Sequence, residues 1–297
     1  MQDATRWRSV LRAGLVATLC AAGSGAPALA QQNGSQLVEP LYRVHRDAMV
    51  VPVEHSQPPQ QQSQEHPLMP AIRLAKASLS QIDNNIHDYS CTLVKRENID
   101  GKLGDYEYIF TKVRHRPFSV YMYFLGPDHV KGRECIYVAG ANDNKLVAHE
   151  GGGRLKAILP TVRVDPEGVL AMRGQRYPIT EVGFRTLTQR LIEVAEQDSK
   201  FGECEVKFFK GAKINGRTCT CLQVVHPVPR QNFRFHLARV FIDDELQVPI
   251  RFESYDWPKV PGEAPVLLEE YTYMNLKINN GFTDADFDER NQDYNFH

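Results

Sequence analysis

Residues 237–288 read as three consecutive strands, 237–243, 250–256 and 266–276. A polar run follows, Asn279-Asn280-Gly281-Phe282-Thr283-Asp284-Ala285-Asp286-Phe287-Asp288. Successive side chains on a strand point to opposite faces, and strands joined by connections this short pair antiparallel. The stretch therefore commits the rest of the chain to supplying more strands and a cover for one sheet face. No catalytic motif occurs within it.

The preceding sequence supplies both. Ile72, Ala75, Leu79, Ile82 and Ile86 recur at steps of three and four, which places them on one face of a helix. Pro70 suits its first turn, and Asn84-Asn85 mark its end. The period then drops to two, giving strands at 89–97, 105–114, 118–125, 133–139, 145–149 and 154–164, the last interrupted at Pro160. Tyr106, Tyr108 and Phe110 share one face of the second strand, and Glu107, Ile109 and Thr111 the other. On the third, Val120, Met122 and Phe124 oppose Tyr121 and Tyr123. A second helix is expected over 181–200, with Phe184, Leu187, Leu191 and Val194 on one face, Thr180 as N-cap and Gly202 as stop. Strands 203–210 and 217–225 follow around Asn215-Gly216, a strong hairpin signal. A two-residue turn there sets Ala212 opposite Cys219 and Lys210 opposite Cys221. Helix, six strands, helix, five strands is not a βαβ rhythm. The expected fold is mainly β (α+β): a strongly curved antiparallel sheet or half-open β-barrel of about eleven strands with two covering helices.

Arg6, Arg8 and Arg12 precede the apolar run 13–22, and Ala28-Leu29-Ala30 is a small-x-small site. This is the pattern of a signal peptide, residues 1–30, cleaved near Ala30. The run is too short to span about 30 Å of hydrocarbon, so no transmembrane segment is expected in the mature chain. Cys20 lies within it, but Leu19 stands where a lipidation box carries a small residue. Residues 31–69 include Gln57-Pro58-Pro59-Gln60-Gln61-Gln62-Ser63-Gln64 and read as a disordered linker, since they cannot offset their ordering entropy. Within them, 41–53 is apolar enough for a docking strand or helix. Residues 70–297 are expected as a single β domain, periplasmic or otherwise exported. Export permits disulfides. Yet Cys91, Cys135, Cys204, Cys219 and Cys221 are too few for a disulfide scaffold, and Cys219-Thr220-Cys221 is not a zinc pattern. Buried thiols are the expectation, with one disulfide as the alternative. A formal net charge of −1 gives no electrostatic footprint for nucleic acid.

Gly132-Arg133-Glu134-Cys135-Ile136-Tyr137, Lys145-Leu146-Val147-Ala148-His149 and Ile179-Thr180-Glu181-Val182-Gly183 resemble an uncharacterised family of exported bacterial proteins. The C-terminal pattern comprises Phe241-Ile242-Asp243-Asp244, Val248-Pro249-Ile250-Arg251-Phe252, Glu270-Tyr271-Thr272-Tyr273, and then Phe282, Asp286 and Phe287. It is similar to the C-terminal half of periplasmic lipoprotein-carrier, or outer-membrane lipoprotein-sorting, proteins. That resemblance implies a half-open barrel whose concave apolar face binds acyl chains under helical lids. The narrower family implies no activity.

Six residues are then candidates for ligand binding: Tyr106, Tyr108, Phe110, Val120, Met122 and Phe124. In a closed barrel they are core. In a half-open one they line an apolar groove, where each buried CH₂ contributes about 0.8 kcal/mol. The expected function is a non-enzymatic carrier or sensor of lipid or lipoprotein acyl chains, with no catalytic residue, metal or cofactor. One alternative is a cell-envelope module that binds a protein partner. Another is a hydrolase or metal enzyme around His149 and Glu150, which precede Gly151-Gly152-Gly153. The loop His226-Pro227-Val228-Pro229-Arg230, near His236, reads as a rigid connection. Asp284, Asp286 and Asp288 have calcium-loop spacing, but Glu289 and Asn295 stand where such a loop needs Gly and Glu. The tail is therefore read as a capped turn pinned by Phe282 and Phe287, with its carboxylates in solvent.

Overall fold

Helix α1 (Met69–Asn85) carries Pro70 at its start and turns Ala71, Ile72, Ser78 and Ile82 inward. It was located in a computed structural model that describes residues 42–43, 65–151, 153 and 159–296. The expected signal peptide and most of the expected linker lie outside these residues. Within the linker, β1 (Tyr42–Arg43) pairs antiparallel with Lys213 and Ile214.

The first run of strands is β2 (Asp88–Ile99), β3 (Lys102–Leu103), β4 (Glu107–His115), β5 (Phe118–Gly126), β6 (Glu134–Val138), β7 (Leu146–His149) and β8 (Val162–Val164). A long connection leads to α2 (Phe184–Asp198). The second run is β9 (Glu205–Ile214), β10 (Arg217–Val225), β11 (Leu237–Asp243), β12 (Pro249–Asp256) and β13 (Val266–Ile278). All pairings are antiparallel, in the order β1-β9-β10-β11-β12-β13-β2-β4-β5-β6-β7-β8, with β3 paired to β2. Eleven of these strands are those read from the sequence; β1 and β3 are two-residue additions.

This order explains the helices. The described sheet does not close on itself: β8 ends it on one side, and β9, next in sequence, lies at the far side beside β1. The connection between them must cross a sheet face, and α2 makes that crossing alongside α1. Ala71 and Leu74 of α1 and Leu187, Leu191 and Val194 of α2 pack on Leu222, Val240, Ile242 and Phe252. The main core continues under Ile82 and Ile86 to Tyr89, Ile109, Val120 and Tyr273. There Tyr89 stacks on Phe184, the first residue of α2, with ring centroids 4.1 Å apart. Gly183 caps α2 with φ +114, and a Cβ on it would come within 2.7 Å of the Tyr89 hydroxyl. The expected cap, Thr180, instead lies in a 3-10 turn, Ile179–Glu181, that precedes the helix.

A third cluster lies on the opposite, outer face. Phe287 and Tyr294 of the tail cover Tyr121, Ile136 and Val147, and Tyr121 stacks on Tyr294 at 4.0 Å. One tail carboxylate is not left to solvent: Asp286 pairs with Lys112 at 2.9 Å, whereas Asp284 stays exposed and touches Arg114 at 2.8 Å from the solvent side. Asn215 and Gly216 have φ of +47 and +85, the backbone of a two-residue hairpin turn. Ala212 faces Cys219 as expected, but Phe209, not Lys210, faces Cys221. The reason is a bulge on β9, where Gly211 takes φ +77 and shifts the register by one residue. The five described cysteines are free thiols.

Candidate functional site

Strands from β12 round to β8 curve about one cavity of about 1320 Å³, closed on its other side by α2 and by the connection 159–183. Small-molecule sites usually occupy about 300–1,000 Å³, so this one has room for an extended ligand. A second space, of about 70 Å³, lies under α1 and α2 against β10 to β12, where the helices pack closely. The large cavity thus lies beside the helix pair rather than beneath it.

Its apolar wall comes from alternate residues of the sheet: Ile109, Met122, Phe124, Leu146, Val164 and Phe252, faced by Leu187, Leu191 and Val194 of α2. Cys135 also lines it, and burial pushes its thiol up to about 12, so it is a protonated wall residue and not a nucleophile. The rim is apolar too. Nine large hydrophobic residues are exposed among the described ones; Val169, Leu170 and Tyr177 belong to the connection after β8, and Leu159 and Val162 lie just before and within β8. That concentration marks the segment as more than a tether between β8 and α2.

One end of the wall is charged. Lys95 Nζ lies 3.2 Å from both Glu97 and Glu107 and donates to Gln175. Arg176 donates from Nε to Glu269 at 3.1 Å, from Nη1 to the Asn98 carbonyl at 3.1 Å, and from its backbone N–H to Glu97 at 3.3 Å. Glu269 also accepts from Ser254 at 2.9 Å, Tyr177 at 3.2 Å and Tyr271 at 3.2 Å. Tyr271 donates to Glu97 at 2.5 Å as well. Burial, then the carboxylates of Glu269 and Glu97, pushes the Tyr271 phenol well above its usual value and keeps it a donor. Burial opposes the charge on Arg176, but the Glu269 carboxylate together with Tyr177 and Tyr271 outweighs it, and the guanidinium's pKa is raised. Gln175, Arg176 and Tyr177 all come from the covering connection, so this network fastens that segment to β2, β12 and β13.

Met122 and Phe124 of the sequence-predicted set line the cavity. Val120 shares their face of β5 but is fully buried in the main core. Tyr106, Tyr108 and Phe110 belong to the other face. Glu107 and Ile109 point into the cavity, so their alternates on β4 point away. Phe110 packs in the outer cluster under the tail, and Tyr106 carries the Arg96 guanidinium 4.8 Å above its ring. Of the aromatics, Phe110 thus builds outer core, while the cavity uses the face of β4 that carries Glu107. A signal for this lay in Lys95, Glu97 and Glu107: charges at every second strand position, beside Leu93 and Ile109, mark a face lining a partly wet space. His149 and Glu150 do not act together. Glu150 lines the cavity and pairs with Arg133 at 3.1 Å. His149 is buried on the outer face, opposite Glu134 in the ladder. Among the described residues no three His, Cys, Asp or Glu side chains converge to hold a metal. No described helix is long and apolar enough to cross a membrane.

Several solved structures resemble this one at low identity. A putative outer membrane lipoprotein-sorting protein domain from Vibrio parahaemolyticus aligns with TM-score 0.35 and 13% identity, over 73% of this chain and 96% of that one. The Mycobacterium tuberculosis lipoprotein LppX aligns with TM-score 0.41 and 12% identity, over 72% and 98%. A chain of the Pseudomonas aeruginosa MucA/MucB complex aligns with TM-score 0.37 and 15% identity, over 73% of this chain and 60% of that one. No curated protein matches the sequence. The model of the family described as "Protein of unknown function (DUF1571)" matches residues 86–296, which hold the sheet from β2 to β13, α2 and the tail, and the chain belongs to that family.

Proposed function

We propose that the protein is an exported, non-enzymatic carrier or sensor that holds the acyl chain of a lipid or lipoprotein in the cavity between the sheet and α2. The observation that carries this reading is the cavity itself: about 1320 Å³, walled by aliphatic and aromatic side chains and rimmed by exposed Leu159, Val162 and Leu170. Burying a chain there releases water from both surfaces, at about 0.8 kcal/mol per CH₂. The reading supposes a signal peptide cleaved near Ala30, which N-terminal sequencing of the exported protein checks.

Native mass spectrometry of gently purified protein should show a co-purifying lipid, and a fluorescent fatty acid should bind and be displaced by unlabelled acyl chains. Leu191→Trp, which places an indole in the cavity, should weaken that binding about tenfold or more while costing at most about 1–3 kcal/mol of stability. No lipid and no displacement would sink the proposal. The reading of a cell-envelope interaction module would then take its place. It has in its favour the exposed strand β8 at the sheet edge and the exposed Val169 and Leu170 beside it.

A further inference from the structure

The charged residues lining the cavity comprise six Lys or Arg side chains and five glutamates among the described residues. Four of the cations are committed. Lys95 pairs with Glu97 and Glu107 at 3.2 Å, Arg133 with Glu150 at 3.1 Å, Arg176 with Glu269 at 3.1 Å and Arg190 with Glu181 at 2.5 Å. Every glutamate of the lining is thereby matched. Arg173 and Arg234 are left over, with no carboxylate partner among the described residues. Both are exposed. Arg173 lies in the covering connection, three residues beyond the exposed Leu170. Arg234 lies in the loop between β10 and β11, next to Phe235, which is buried in the cavity wall. Two uncommitted guanidinium groups, from two separate elements, therefore stand where an apolar cavity meets water.

The interior disfavours an anion. At its charged end three carboxylates, Glu97, Glu107 and Glu269, face two cations, Lys95 and Arg176, each already paired with glutamate. An anionic head placed there would lose its hydration and meet like charge. At the rim it would stay partly hydrated and meet the planar donor fork of arginine, which suits carboxylate and phosphate oxygens alike. We propose that the ligand is an amphiphile with an anionic head group, carboxylate or phosphate, held by Arg173 and Arg234 at the cavity mouth with its chain inside. This rests on the acyl-chain reading of the cavity and adds the class and the orientation of the ligand.

The test is displacement of Nile red, a neutral reporter, from the full mature protein by palmitate, lysophosphatidic acid and monopalmitoylglycerol at low salt. The two anions should displace it at concentrations lower than the neutral ester by about tenfold or more, the size of one charge-assisted hydrogen bond. That advantage should shrink at high salt. Arg173→Gln combined with Arg234→Gln should remove it and leave monopalmitoylglycerol unchanged, with an unaltered melting temperature. The tighter anion identifies carboxylate or phosphate as the preferred head. Equal displacement by all three ligands, or an equal loss for all three in the double variant, overturns the head-group assignment and leaves the acyl cavity standing. No displacement by any of them overturns both.

Discussion

At the scale of single residues, buried polar groups in this protein act as fasteners. Asp88, buried at the start of β2, accepts from the backbone N–H groups of Asn280, Gly281 and Phe282 at 2.6, 3.0 and 3.1 Å. It thereby fixes the turn that leads from the last strand into the tail. Asp88→Ala leaves three donors without their acceptor. It should cost about 2–4 kcal/mol in urea denaturation, whereas Asp88→Asn, which keeps an acceptor, should cost less. His115 sets an acid limit. Its Nδ1 lies 2.8 Å from the Ile86 carbonyl, and burial holds its pKa below the usual histidine value, against the opposing pull of that hydrogen bond. The unfolded chain therefore binds this proton more readily than the folded one. The contribution is complete above about pH 6.5 and is lost as the pH falls through the depressed folded value. The melting temperature should fall between pH 7 and pH 5 more steeply in the parent than in His115→Asn, which keeps a donor at the Nδ1 position. Equal slopes would remove His115 from the account.

At the scale of elements, the connection between β8 and α2 differs in kind from the sheet it covers. The sheet is held by continuous ladders; residues 165–183 are held to it by the side chains of Gln175, Arg176 and Tyr177 and by Ile179 and Val182 packed on the main core. Glu269→Ala removes the acceptor shared by Arg176, Tyr177, Tyr271 and Ser254. It should cost about 2–4 kcal/mol, because the guanidinium loses its carboxylate and the Tyr177 and Ser254 hydroxyls lose their acceptor, while Tyr271 keeps Glu97. Hydrogen exchange should quicken across residues 165–183 while β9 to β11 stay protected; uniform loss of protection would show that the network supports the whole sheet instead. Gly183 is the other constraint on this connection. Gly183→Ala forces a Cβ toward the Tyr89 hydroxyl in a backbone conformation that disfavours side chains. It should lower stability by about 1–3 kcal/mol.

At the scale of the molecule, the cavity follows from topology. β13 pairs with β2, so the last strand closes against the first long one and joins the two runs of strands into one sheet. Residues far apart in sequence meet along this seam: Tyr271 faces Lys95, and Glu269 faces Glu97. Curvature then turns one face of β12, β13, β2 and β4 to β8 toward a common space, and the chain's own crossing from β8 to β9 covers it.

The sequence by itself determined the elements. Period-two patterning placed eleven strands, period-three-to-four patterning placed both helices, and Asn215-Gly216 fixed a hairpin. These are local properties, set by how successive side chains project from the backbone. It also separated the two faces of β4 and β5 correctly. Only the tertiary structure decided which face of β4 lies inside. Phe110 is as apolar as Ile109, and on the outer face the C-terminal tail gives it a core of its own. Alternation states that two faces differ; burial depends on what arrives to cover each, and that cover comes from residues 165–183 on one side and from Phe287 and Tyr294 on the other. The joining of Lys95, Glu97, Arg176 and Glu269 into one network is likewise a product of strand order, which single-strand periodicity does not encode.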